Sequence, residues 1–203
     1  MDIINTIKEE KVYSSEEYHH AEELAPNKNE FRNGKIIPMP GGSSNHADII
    51  GNIYICLRMA LKSSNFRVFN SELKIHIKAL NQNVYPDSSV VLSPPNYQDN
   101  KFAVTNPILV VEVLSDSTAK YDRGQKFLKY KAIPTFKEYV LIDQDVPMVD
   151  VLTLKDKEWV MTTYVGLEDI IVLPTLNCTI PMKNIYENVE DLEHPQGVID
   201  FEK

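Results

Sequence analysis

Two acidic residues stand where their chemistry is most expensive. Glu112 interrupts Pro107-Ile108-Leu109-Val110-Val111-Glu112-Val113-Leu114, the most apolar run in the chain. An unbroken aliphatic run of this length reads as a strand buried on both faces. A carboxylate placed there loses its hydration, at a cost of several kcal/mol unless it is paired, metal-bound or neutralised. Asp87 follows a proline in the neighbouring strand candidate Val84-Tyr85-Pro86-Asp87-Ser88-Ser89-Val90-Val91-Leu92. Two acids on adjacent buried strands are the raw material of a divalent-cation site.

The elements that must position them can be read from punctuation and periodicity. A helix is expected at Ser14–Glu23, capped by Ser14 or Ser15 and with acids in its first turn. Asn33-Gly34 marks a turn between short strands at Glu30–Arg32 and Lys35–Met39. After the Pro40-Gly41-Gly42-Ser43-Ser44 loop, Ser44 or Asn45 can cap a long helix running to about Lys62. Its Ile49, Ile53, Leu57 and Leu61 form an apolar stripe. Strands are expected at Arg67–Phe69, Ser71–Ile77 and Val84–Leu92, then a polar loop over Ser93–Asn106, then the buried strand Ile108–Leu114. Ser115-Asp116-Ser117-Thr118 closes that strand and caps a helix to about Ala132. Strands at Glu138–Ile142, Met148–Leu154 and Glu158–Tyr164 complete the pattern. The final strand-helix-strand unit implies a parallel pair, and the strands before it are expected to form a meander. The fold class is therefore mixed α/β, a central mixed β-sheet flanked by helices.

Bulk properties set the frame. The 203 residues suffice for one well-buried domain, expected over 1–189, with an acidic, loosely held tail over 190–203. No apolar stretch approaches the roughly 20 residues of a membrane-spanning helix. The segment Met1–Lys8 lacks the basic-then-apolar order of a secretion signal, so the expected location is cytoplasmic and no membrane partner is expected. Cys56 and Cys178 lie far apart without a CxxC pattern and are expected to be buried thiols. With 29 acidic against 21 basic side chains, the formal charge of −8 disfavours broad nonspecific nucleic-acid binding but leaves room for a local basic groove. There is no GxxxxGK[ST], GxGxxG, GxSxG, HExxH or Cys/His zinc pattern.

The ordered set Asn29-Glu30-Phe31-Arg32-Asn33-Gly34-Lys35-Ile36, Ser44-Asn45-His46, Tyr85-Pro86-Asp87 and Leu109–Thr118, continuing as Tyr121-Asp122-Arg123-Gly124-Gln125-Lys126 and Tyr130, resembles the PD-(D/E)xK nuclease superfamily. Within it the chain looks like the Uma-family restriction-endonuclease-like proteins, over roughly Tyr13 to Tyr164. The resemblance implies a restriction-endonuclease-like core and hydrolysis of DNA phosphodiesters with Mg²⁺ or Mn²⁺. It implies that Asp87 and Glu112 ligate the metal, joined by the main-chain carbonyl of Val113. The lysine expected two residues after the glutamate is replaced by Leu114, and Lys126 on the following helix is the candidate, with Lys120 and Lys129 behind it. Asp122, Lys126 and Lys129 share a helix face, and Asp122 with Lys126 can equally be a solvent-exposed pair.

Glu30 completes the acidic cluster in similar proteins, or is a surface acid at a turn. His46 contacts water or a DNA phosphate, or simply caps its helix. Tyr85 and Tyr130 hydrogen-bond in the site, or are core. Nucleases of this architecture often pair to reach both strands, so a homodimer is expected. The competing readings are a noncatalytic interaction module that kept the fold, and a metal-dependent phosphodiesterase acting on RNA or a small phosphate ester.

Overall fold

The computed structural model describes residues 11–39 and 41–195; Pro40, the segment Met1–Lys8 and the end of the tail lie outside the described residues. Helix α1 (Ser15–Leu24) begins at a reciprocal cap, in which the Ser14 hydroxyl accepts the Glu17 N–H and the Glu17 carboxylate accepts the Ser14 N–H. Strands β1 (Asn29–Arg32) and β2 (Lys35–Pro38) follow, joined through Asn33 and Gly34 at φ 50° and 76°. Both residues need positive φ, which Asn tolerates and Gly adopts without strain. Helix α2 (Ser44–Ala60) is capped by Ser43, one residue earlier than expected; its hydroxyl accepts the His46 N–H at 3.1 Å.

The next strands are β3 (Phe66–Asn70), β4 (Lys74–Ile77), β5 (Gln82–Val84) and β6 (Ser88–Leu92). The expected loop over 93–106 carries two short strands, β7 (Tyr97–Gln98) and β8 (Ala103–Val104). Strand β9 (Pro107–Leu114) leads to α3 (Ala119–Tyr121), a π-helical turn (Asp122–Lys126) and α4 (Phe127–Tyr130). Strands β10 (Glu138–Asp143), β11 (Met148–Lys155) and β12 (Glu158–Val165) come next. A segment without a sequence assignment then forms β13 (Ile170–Leu173), β14 (Cys178–Pro181) and α5 (Met182–Ile185).

The strands build two six-stranded sheets, β2-β1-β5-β4-β8-β7 and β12-β11-β10-β9-β6-β3, with β13-β14 as a separate pair. The expected parallel pair is β9 with β10, as the strand-helix-strand unit required, and β4 with β8 is a second. The expected meander does not form: β3 pairs with β6, whereas β4 joins the other sheet. The Val84–Leu92 candidate is divided, with Val84 ending β5 in one sheet and Ser88 opening β6 in the other. Pro86 has no N–H for a ladder, and this is where the chain changes sheets. Apolar alternation is the same in both sheets and could not reveal the crossing.

The pleat of β9 divides the core. Leu109, Val111 and Val113 pack with Ile49, Ile53 and Leu57 of α2. Val110 and Leu114 pack on the other face with Tyr130, Phe136 and Tyr139. Glu112 shares that second face. Cys56 and Cys178 are free thiols, half-buried rather than buried, against the α2 cluster. In the tail, Glu190 accepts the Asn45 amide at 2.8 Å and Glu193 N–H donates to Asp145 at 2.8 Å. Among the described residues no helix is long and apolar enough to cross a membrane.

Candidate active site

Asp87 lies in the crossing between the sheets, immediately before β6. Its Oδ2 accepts the Val113 N–H at 2.7 Å, tying the crossing to β9. Glu112, only 2% exposed, projects from β9 toward the helical segment. Its Oε2 accepts from Lys126 Nζ at 2.7 Å and its Oε1 from the Tyr130 hydroxyl at 2.8 Å. The carboxylate that the apolar run made conspicuous is therefore bonded at both oxygens.

Lys126 reaches this point from the π-helical turn, an insertion that recurs at functional sites. Its ammonium also lies 3.4 Å from Asp122 Oδ1, 4.0 Å from Glu30 Oε1 and 3.3 Å from the Tyr85 carbonyl. Asp122 and Lys126 are buried, so the solvent-exposed pair expected as an alternative is excluded. Glu30 is 2% exposed and is no surface acid: Oε1 accepts the Tyr85 N–H at 3.2 Å, and Oε2 is bound by Arg32.

His46 enters from the first turn of α2. Its Nε2 donates to the Val113 carbonyl at 3.2 Å and stands 3.8 Å from Asp87 Oδ2. The Ser43 cap fixes where that first turn begins, and thereby where the imidazole points.

The remaining candidates separate. The Tyr85 hydroxyl leaves the cluster and meets Glu22 Oε1 at 3.0 Å, so this residue serves the site through its backbone and not its phenol. Lys120 is exposed on α3 and is not among the residues lining the cleft, so it is no substitute for Lys126. Lys129 donates to the Tyr121 hydroxyl at 3.2 Å instead of to the acids. Leu114, at the motif lysine's position, is core. Two contributors were not singled out from sequence: Arg32, whose guanidinium lies 4.1 Å from the Tyr121 ring centroid, and Tyr121 itself. The signal available for Arg32 was its i,i+2 spacing from Glu30, which puts both side chains on one face of β1.

These groups line a cleft of about 350 Å³ that includes Glu30, Arg32, His46, Asp87, Glu112 and Lys126. Burial raises the pKa of Asp87, against the opposing pull of Lys126, His46 and the Val113 N–H. Burial pushes Glu112 well above the ordinary carboxylate range, with Asp122 and Asp87 adding to the rise and Lys126 opposing it. For Lys126, burial works against the charge, but the carboxylates of Glu112, Glu30, Asp122 and Asp87 prevail and hold the ammonium firmly protonated. Tyr121 is pushed up to about 12, chiefly by burial.

Four carboxylates, those of Asp87, Glu112, Asp122 and Glu30, thus gather around two basic side chains, Lys126 and Arg32. Among the described residues no three His, Cys, Asp or Glu side chains are arranged to hold a metal ion by themselves. The donors that could do so are the Asp87 and Glu112 carboxylates with the Val113 carbonyl, an all-oxygen set suited to Mg²⁺ or Mn²⁺.

Comparison with known proteins places this geometry in a family. Residues 15–183 match the Uma2 model, described as "putative restriction endonuclease". The Synechocystis protein sll1609 is 37% identical over 158 residues, 77% of this chain and 89% of that one. A second Synechocystis protein, slr1290, is 33% identical over 177 residues, 87% of this chain and 92% of its own. The crystal structure of a "putative nuclease belonging to DUF820" from Anabaena variabilis superposes with a TM-score of 0.66 at 19% identity, covering 83% of this chain and 97% of that one. At that identity the likeness speaks for the fold alone, a mixed α+β, restriction-endonuclease-like core. A family match of this extent, over a range that includes Glu30, His46, Asp87, Glu112 and Lys126, assigns this chain to the Uma2 family of restriction-endonuclease-type proteins.

Proposed function

We propose that this protein is a divalent-metal-dependent endonuclease that hydrolyses DNA phosphodiester bonds. The observation that carries this reading is the acid cluster at the sheet crossing, four carboxylates around two basic side chains, lining an open cleft. Asp87, Glu112 and the Val113 carbonyl would hold Mg²⁺ or Mn²⁺, which when bound lowers the pKa of a coordinated water and stabilises charge developing on the phosphate.

The chain's own groups then have distinct duties. Lys126 stays protonated, so it is suited to orienting a water or a phosphate oxygen and not to removing a proton. Glu30 and Asp122 hold its ammonium in place. Tyr130 fixes the orientation of Glu112. His46 positions the Val113 carbonyl through its Nε2 hydrogen bond. Arg32, at the cleft, supplies a guanidinium whose planar fork suits a phosphate.

A noncatalytic module is the second reading, favoured by the occupation of both Glu112 oxygens by Lys126 and Tyr130. The deciding experiment is cleavage of plasmid and single-stranded DNA with Mg²⁺ or Mn²⁺, beside Asp87→Asn and Glu112→Gln. The expected result is wild-type cleavage reduced at least ~100-fold in each variant, in line with loss of a preorganised electrostatic group. Wild-type protein that leaves DNA intact while cleaving RNA would move the substrate class. Cleavage that survives in both variants would sink the site assignment.

A further inference from the structure

Gly41 and Gly42 share one loop and differ in what stands beside them. Nothing lies within 4 Å of the place where a side chain at position 41 would begin. At position 42 a Cβ would sit 2.6 Å from His46 Nδ1, 3.1 Å from its Cγ and 3.3 Å from its Cβ. Nonbonded heavy atoms rest at roughly 3.5–4.0 Å, so the imidazole already fills the space that a side chain there would need. Backbone freedom is not what position 42 requires, since positive φ among the described glycines is confined to Gly34 and Gly166. The missing side chain makes room for His46.

The ring has a defined partner. Its Nε2 lies 3.2 Å from the Val113 carbonyl, and a carbonyl only accepts, so Nε2 carries the hydrogen. Val113 is held on both sides: Asp87 Oδ2 accepts its N–H at 2.7 Å, and His46 engages its C=O. The turn bearing His46 is pinned independently of the ring. The Ser43 hydroxyl accepts the His46 N–H, and Asn45 exchanges hydrogen bonds of 2.8 and 3.3 Å with the Glu190 backbone. Ile49, nearly one turn on, is fully buried. A group added at position 42 would thus displace the imidazole and not the helix.

We infer that Gly42 is a positioning residue of the cleft: having no side chain, it lets the His46 imidazole stand against the Val113 carbonyl, the main-chain oxygen proposed above as a metal ligand. Its bearing on cleavage rests on that proposed function, whereas its bearing on the imidazole does not. Gly42 acts only through His46.

The test compares Gly42→Ala, Gly41→Ala, His46→Ala and the double variant Gly42→Ala/His46→Ala. In nitrogen–proton correlation spectra of the imidazoles, the His46 signal is identified by its loss in His46→Ala. It should move in Gly42→Ala and stay in place in Gly41→Ala, with circular-dichroism spectra unchanged in both. On plasmid DNA with Mg²⁺, Gly42→Ala should lower kcat ~10–100-fold and leave KM within ~2-fold, because a misplaced group costs rate more than binding. Gly41→Ala should cleave as the wild type does. The double variant should be no slower than His46→Ala alone, because the ring that Gly42 accommodates is already gone. An imidazole signal unmoved by Gly42→Ala overturns the inference, as does a double variant slower than His46→Ala by the full Gly42→Ala factor. A wild type that leaves nucleic acid intact would defeat the proposed function, and the imidazole spectrum would still decide on Gly42.

Discussion

At the scale of single residues, the site is governed by one ammonium among several acids. Lys126 contacts Glu112 at 2.7 Å, and Asp122 and Glu30 lie within 4.0 Å of it. Removing it would leave the buried Glu112 without its cationic partner, so Lys126→Met should cost about 3–5 kcal/mol by urea denaturation. Adding Glu112→Gln to that variant should recover part of the loss, because the stranded acid is then gone; a strictly additive double variant would contradict the pairing. Tyr130→Phe removes one donor from the same carboxylate and should cost about 1–3 kcal/mol. Bound Mn²⁺ should stabilise the native state by about 2.7 kcal/mol at a hundredfold excess over its dissociation constant, raising Tm. Asp87→Asn should abolish that rise, and an undiminished shift would place the metal elsewhere.

Among the elements, β10 carries a buried acid away from the cleft that makes stability depend on pH. Glu138 is fully buried, accepts the Thr153 hydroxyl at 3.0 Å, and burial raises its pKa to about 7 against the opposing hydrogen bonds of Thr153 and Thr175. A carboxyl whose folded pKa exceeds its unfolded one favours the fold while it is protonated. Its contribution is thus complete below the unfolded value of 4.5 and is lost as pH rises through about 7. The difference is on the order of 3 kcal/mol. Glu138→Gln should flatten that part of the Tm-against-pH curve; an unchanged slope would assign it to other groups. In α2, Ser43→Ala removes the cap that sets the first turn and should cost about 1 kcal/mol, read as a lower Tm. It should also lower any DNA cleavage, since His46 sits on that turn.

For the molecule as a whole, stability lies in the two apolar layers on either side of the β9-centred sheet. Ile53, on the buried face of α2, is 1% exposed, so Ile53→Ala should cost about 2–5 kcal/mol, measured by denaturation. Val160→Thr on the edge strand β12 should stay within about 0.5 kcal/mol. That contrast separates residues that hold the domain together from those on its surface.

Much of this was legible in the chain itself. An acid inside an aliphatic strand is costly enough to mark Glu112 without coordinates, whereas Val84–Leu92 read as one strand and the break at Pro86 did not show. The 3.6-residue stripe gave α2, and the strand-helix-strand order gave the parallel β9–β10 pair. The family resemblance pointed to a lysine on the following helix, Lys126 first with Lys120 and Lys129 behind it. What only the tertiary structure decided concerns long-range pairing. Alternation has the same period in every sheet, so it could not show that β4 and β5 leave the expected meander, or that Tyr85-Pro86-Asp87 spans two sheets. Spacing likewise could not choose among the three lysines: that required the π-helical turn, which aims Lys126 at Glu112 and leaves Lys129 on Tyr121. Sequence determines which groups are too costly to be accidental; their partners depend on contacts tens of residues apart, which no local pattern encodes.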